Sequence, residues 1–88
     1  MKRNDNFVLR NIAGETILVP TGELSMNFNG LITLNEVASF IWENINDCDK
    51  SQDLIKKVLE VYDVSEEQAK DDVEGMIYIL SQNGMIEL

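Results

Sequence analysis

The chain has 88 residues, 44% of them hydrophobic and 26% charged, so it holds one domain with a modest core and little material for a deep cleft. Sixteen acidic residues against seven basic ones give a net charge of −9, and the resulting negative field disfavours nucleic acid and anionic membranes as partners. The same acidity also serves solubility, and composition leaves the two roles open.

Met1 to Asn6 lacks the apolar run and cleavage site of a signal peptide. No stretch approaches membrane-spanning length, so a cytoplasmic protein is expected. Residues 7–13 predict a strand in which Phe7, Leu9 and Ile12 share one face while Arg10 and Asn11 meet water. Gly14-Glu15 marks a tight turn, and Thr16 to Pro20 suits a second strand that Pro20 stops. The two strands should pair as an antiparallel hairpin. Pro20 to Glu23 reads as a turn, Leu24 to Phe28 alternates with period 2, and Asn29-Gly30 is a strong turn signal. Leu31 to Leu34 is a short third strand that leads directly into a helix.

The period then becomes helical. Thr33 to Glu36 has capping-box spacing, with Asn35 as the alternative cap. Val37, Ala38, Phe40, Ile41 and Ile45 form an apolar stripe with Trp42 beside it, and the helix ends in the Asn46–Lys50 loop. Ser51 is the expected N-cap of a second helix that buries Leu54, Ile55, Val58, Leu59 and Tyr62. Ser65 to Gln68 is a capping box, with Val64 as its hydrophobic staple. The third helix should run to about Asn83 with Ala69, Val73, Met76, Ile77 and Leu80 facing the core, and Gly84 should end it. Met85 to Leu88 is an extended tail that covers the core's edge. Strands first and helices after predict a single α+β domain over residues 1–88, with a small antiparallel three-stranded sheet followed by three helices.

Three kinds of function compete. Enzyme chemistry is poorly served. The chain has no His, and Cys48 stands in the polar run Asn46 to Asp49, where carboxylates raise a thiol's pKa. Cys48 therefore reads as a loop residue without chemistry, and no zinc site can be assembled. The pairs Glu66/Glu67, Asp71/Asp72 and Asp47/Asp49 read as solvated faces rather than as an acid–base dyad in an apolar cleft. Neither a phosphate loop nor a nucleotide fingerprint is present, so no enzyme activity, metal or cofactor is expected.

DNA binding by a winged helix-turn-helix suits the element order but not the charge. The third helix carries only Lys70 among basic residues, and Lys56 and Lys57 on the second are opposed by Asp53 and Glu60. Peptide capture fits better. A short third strand at a sheet edge offers main-chain donors and acceptors to an extended chain. On the third helix Gln68, Asp72, Gly75 and Ile79 flank the core stripe on one side. Glycine inside a helix costs about 1 kcal/mol relative to alanine, and a close approach by another backbone is one reason to keep Gly75. Peripheral packing is the other reading of Gly75 and Ile79. Exposed sheet edges also allow a strand-swapped homodimer.

Phe7 to Arg10, Ile12 to Glu15 and Ile17 to Pro20 resemble the start of PqqD-like proteins. Asn29 to Asn35 with Phe40 to Trp42 is similar to that family's strand-to-helix junction. Leu54-Ile55, Tyr62 to Val64, Asp72-Val73, Leu80 and Gly84 to Ile86 fall where the family places its later helix and tail. Many members carry Asp-Gly after the first helix, where this chain has Asp47-Cys48. The resemblance implies a winged-helix-like recognition element for ribosomally made, post-translationally modified peptides. Such an element binds the leader segment of a precursor peptide and delivers it to a modifying enzyme, often a radical SAM enzyme. It implies that the leader adds as a strand beside Asn29, Gly30, Leu31, Ile32 and Thr33, and lies against Asp72, Gly75, Met76 and Ile79. The alternative is a winged-helix interaction or regulatory domain that binds no leader.

Overall fold

The structure, a computed structural model, describes residues 1–21 and 32–88. Strands β1 (Lys2–Arg3), β2 (Phe7–Ile12), β3 (Glu15–Pro20) and β4 (Ile32–Leu34) precede helix α1 (Glu36–Asn44). A 3-10 turn (Ile45–Asp47), helices α2 (Ser51–Val61) and α3 (Glu66–Gln82), and strand β5 (Ile86–Glu87) follow. The expected α+β order therefore holds. The expected turn through Glu23, the alternating segment Leu24 to Phe28, the Asn29-Gly30 turn and the start of the third strand at Leu31 lie outside the described residues.

The hairpin forms because Ala13 and Gly14 both adopt positive φ, 53° and 82°. Those angles match the two-residue turn whose twist suits antiparallel strands. The turn thus sits at Ala13-Gly14, one residue before the predicted Gly14-Glu15, and Glu15 already pairs with Ile12. Pro20 is the last residue of β3 and lies opposite Phe7, as its missing N–H requires. Strand β4 pairs antiparallel with β3, with Leu34 opposite Thr16 and Ile32 opposite Leu18, so the sheet order is β2-β3-β4.

Cross-strand partners share a face. The row Leu9, Leu18, Ile32 and the residues Phe7 and Leu34 therefore face the helices. Phe7, Leu18 and Leu34 are buried there. Ile12 does not join them, because it is an odd number of residues from Phe7 and Leu9 and so points the other way; it is 52% exposed.

The helices close over this sheet face. Asn35, not Thr33, caps α1: its side chain accepts a hydrogen bond from the Ala38 N–H at 2.8 Å, while Thr33 stays in the strand. Ile41, Trp42 and Ile45 are buried, whereas Val37, Ala38 and Phe40 are half-buried at the margin. Trp42, beside the stripe, is thus itself a core residue, and the Arg3 guanidinium lies 5.8 Å from its ring centroid. Helix α2 starts one residue early, with Lys50 at the cap. The Lys50 N–H donates to the Asp53 carboxylate at 3.3 Å, and the Asp53 N–H donates to the Lys50 carbonyl at 3.0 Å. Leu54 and Val58 are its buried pair, and Leu59 is exposed.

Helix α3 buries Ala69, Val73, Met76 and Leu80, with Ile77 half-buried beside them. Ser65 Oγ accepts from the Gln68 N–H at 3.1 Å, but the Gln68 amide reaches forward to Asp72 rather than back to close the expected box. At the other end Gly84 (φ 68°) completes a Schellman motif, with Met85 N–H donating to Leu80 C=O at 2.9 Å and Gly84 N–H to Ser81 C=O at 3.3 Å.

The tail covers the core as expected: Met85 and Ile86 are buried. It also pairs with the chain's first residues, Arg3 opposite Ile86 and Lys2 opposite Glu87. This clasp is reinforced by Arg3 N–H donating to Asn46 Oδ1 at 2.7 Å and by Asn4 Nδ2 donating to the Gly84 carbonyl at 3.0 Å.

Cys48 lies in the loop but is buried. Burial pushes its thiol above the ordinary value; Lys57 opposes that, and Asp53, Asp47 and Asp49 assist it. Among the described residues no group of three His, Cys, Asp or Glu is placed to hold a metal ion. None of the described helices is long and apolar enough to cross a membrane.

Candidate functional site

Strand β4 is the end of its sheet. It bonds to β3 on one side, and no described strand pairs with the other. In an antiparallel strand successive N–H groups point to opposite sides, so part of the β4 ladder faces away from the sheet. Thr33 is exposed and Ile32 half-buried against the core. Asn35 follows Leu34 directly and turns the chain into α1.

That junction opens onto a hollow of about 220 Å³ between α1 and α3. Asn35, Val37, Ala38 and Ile41 form its α1 wall, and Asp71, Asp72, Gly75, Met76 and Ile79 its α3 wall. The helical repeat explains the second set: positions three and four apart stack along one face. Gly75 keeps that wall low, since nothing lies within 4 Å of where a Cβ would stand. Met76 is buried at the floor and Ile79 is 46% exposed at the rim. Asp72 Oδ1 accepts a 2.8 Å hydrogen bond from Gln68 Nε2, which orients its carboxylate.

The structure therefore brings together Asp72, Gly75, Met76 and Ile79 in one trough. Ile32 and Thr33 do not line it; they adjoin it through Leu34 and Asn35. Asn29, Gly30 and Leu31 lie outside the described residues. Sequence reasoning missed the whole α1 wall, because Val37, Ala38 and Ile41 read as one core stripe. Asp71 joins the wall although its pairing with Asp72 reads in the sequence as a solvated face.

Larger hollows exist elsewhere. One of about 560 Å³ lies between the hairpin turn and α1, where Phe40 and Tyr62 meet edge to face at 5.4 Å. Burial, then Glu36 and Glu43, push the Tyr62 hydroxyl's pKa upward. Another, of about 540 Å³, lies between α2 and α3 and includes Lys56 and Lys70. The first also includes Thr33 and Leu34 of β4, whereas the second includes no β4 residue. The trough is distinguished by its apolar two-helix lining of Val37, Ala38, Ile41, Met76 and Ile79, not by size or by contact with β4. A strand side that no described strand pairs, near an apolar trough, is suited to holding an extended chain.

The model of the family described as coenzyme PQQ synthesis protein D (PqqD) matches residues 11–86. No curated protein matches the chain. Two solved structures share its fold. One is TbiB1 in complex with the TbiA(beta) leader peptide, with a TM-score of 0.71 and 20% identity over 99% of this chain and 95% of that one. The other is a lasso peptide synthetase B1 complexed with the leader peptide, with a TM-score of 0.72 and 18% identity over 99% of this chain and 96% of that one. With residues 11–86 matched, the chain belongs to the PqqD family.

Proposed function

We propose that this protein is a non-catalytic partner that captures the leader segment of a ribosomally made precursor peptide and delivers it to a modifying enzyme, of the radical SAM class. The observation that carries the reading is β4, whose second side no described strand pairs, leading through Asn35 to the α1–α3 trough. Main-chain bonds along Ile32 to Leu34 supply affinity whatever the leader's sequence, and the trough takes one or two of its side chains. Two proteins of the same fold were solved with leader peptides bound, and family membership supports the same role here. On this reading the chemistry is left to the partner, and membership of a family described by coenzyme synthesis supports a place beside such an enzyme.

Titration of isotopically labelled protein with the leader of a precursor encoded in the same gene cluster tests this. Amide shifts are expected at Ile32 to Leu34 and along Asp72 to Ile79. Shifts confined to other surfaces would end the proposal. Copurification with the modifying enzyme, and faster turnover of the full precursor when this protein is added, test delivery separately.

A further inference from the structure

We propose that the leader this trough selects is basic at one position and apolar two positions away, an inference that rests on the leader-binding reading and adds the chemistry of the ligand. The α3 wall is graded: Asp71 and Asp72 stand at one end and Met76 and Ile79 at the other, with Gly75 between. No Lys or Arg lines the trough. Among the described residues neither carboxylate is in an ion pair, and Asp72 is held only by the Gln68 amide. Both carboxylates therefore keep acceptor capacity for an incoming cation. A net charge of −9 draws a basic segment toward the molecule and repels an acidic one.

The spacing follows from the two backbones. From Asp72 to Met76 is four helical residues, about 6 Å along the axis. A peptide lying along α3 in extended form covers that distance in two residues, at about 3.3 Å each. Two residues is also the strand period, so both side chains point to the same side, toward α3. A spacing of three would turn one of them away. The order, basic before apolar or the reverse, depends on the direction in which the strand adds.

A random-peptide display library panned against the full chain tests this. Enriched peptides are expected to carry Lys or Arg two positions from Leu, Ile, Met or Phe. In a synthetic peptide of that sequence, changing the basic residue to Glu should weaken binding roughly three- to tenfold, with a smaller difference at high salt. The Asp71→Lys/Asp72→Lys double variant, its helicity checked by circular dichroism, should lose or reverse the preference. Enriched peptides that move the Ile32 to Leu34 and α3 amides without a basic preference would overturn this inference and leave the leader-binding reading standing. If no peptide enriches, or those that do leave these amides unmoved, both fall.

Discussion

Gly75 sits in the interior of α3, yet an added Cβ would touch nothing within 4 Å. Alanine is therefore favoured there by about 1 kcal/mol on helix propensity alone. Gly75→Ala should raise the urea midpoint, whereas Gly75→Trp should fill the trough and weaken peptide binding by about tenfold, the equivalent of about 1.4 kcal/mol. A residue kept for packing would give the opposite result, with alanine destabilising. Cys48 makes a second residue-scale prediction. Its folded-state pKa lies above the ordinary 9.0, chiefly through burial, so the folded state holds the thiol proton more tightly than the unfolded state does. That contribution is complete below about pH 9 and is lost as the pH rises through the folded value. Unfolding midpoints should therefore decline above pH 9, and less steeply in Cys48→Ala. Equal slopes would refute the assignment.

At the scale of elements, what was legible depended on period and on capping chemistry. The three helices announced themselves through apolar residues at helical spacing, and Ser65, Asn35 and Gly84 marked boundaries because each satisfies orphan backbone groups that any helix must satisfy. Strands β1 and β5 were not legible as a pair, since two residues show no alternation and their partners lie at opposite ends of the chain. Cys48 stands in its expected loop and Trp42 beside its expected stripe, but the burial of both was not legible: it is set by what folds over a residue, and polar sequence neighbours conceal it. The α3 wall of the trough could be read from positions flanking a core stripe, but the α1 wall required knowing how the two helices cross.

The element most open to a direct test is β4. Thr33 is exposed and Ile32 packs against the core, and the N–H groups of the two residues point to opposite sides of the strand. Proline at one position removes a bond to β3, and at the other a donor on the free side. One of Ile32→Pro and Thr33→Pro should therefore lose peptide binding with circular dichroism nearly intact, while the other loses stability. Two variants that both bind normally would show that no ligand strand adds here.

For the molecule as a whole, charge and closure set behaviour. Three helices beside a small sheet invite comparison with DNA-binding architectures, but a net charge of −9 offers few cations to displace counterions from a duplex. No mobility shift with duplex DNA is expected even at low ionic strength, and a salt-sensitive shift would reopen that function. The clasp of β1 on β5 holds the end of α3 through Met85, which is fully buried. The wall that carries Asp72 to Ile79 is thus tied at its far end to the beginning of the chain. Loosening the clasp should disturb the trough at a distance.

The molecule's single indole, Trp42, is packed in the core and borders the hollow beside Phe7 and Val8 rather than the α1–α3 trough. Its fluorescence therefore serves as a built-in gauge that separates two events otherwise easily confused. Emission should stay blue while a peptide docks and redden only when the globule comes apart, so one cuvette can tell a variant that has stopped binding from one that has stopped folding.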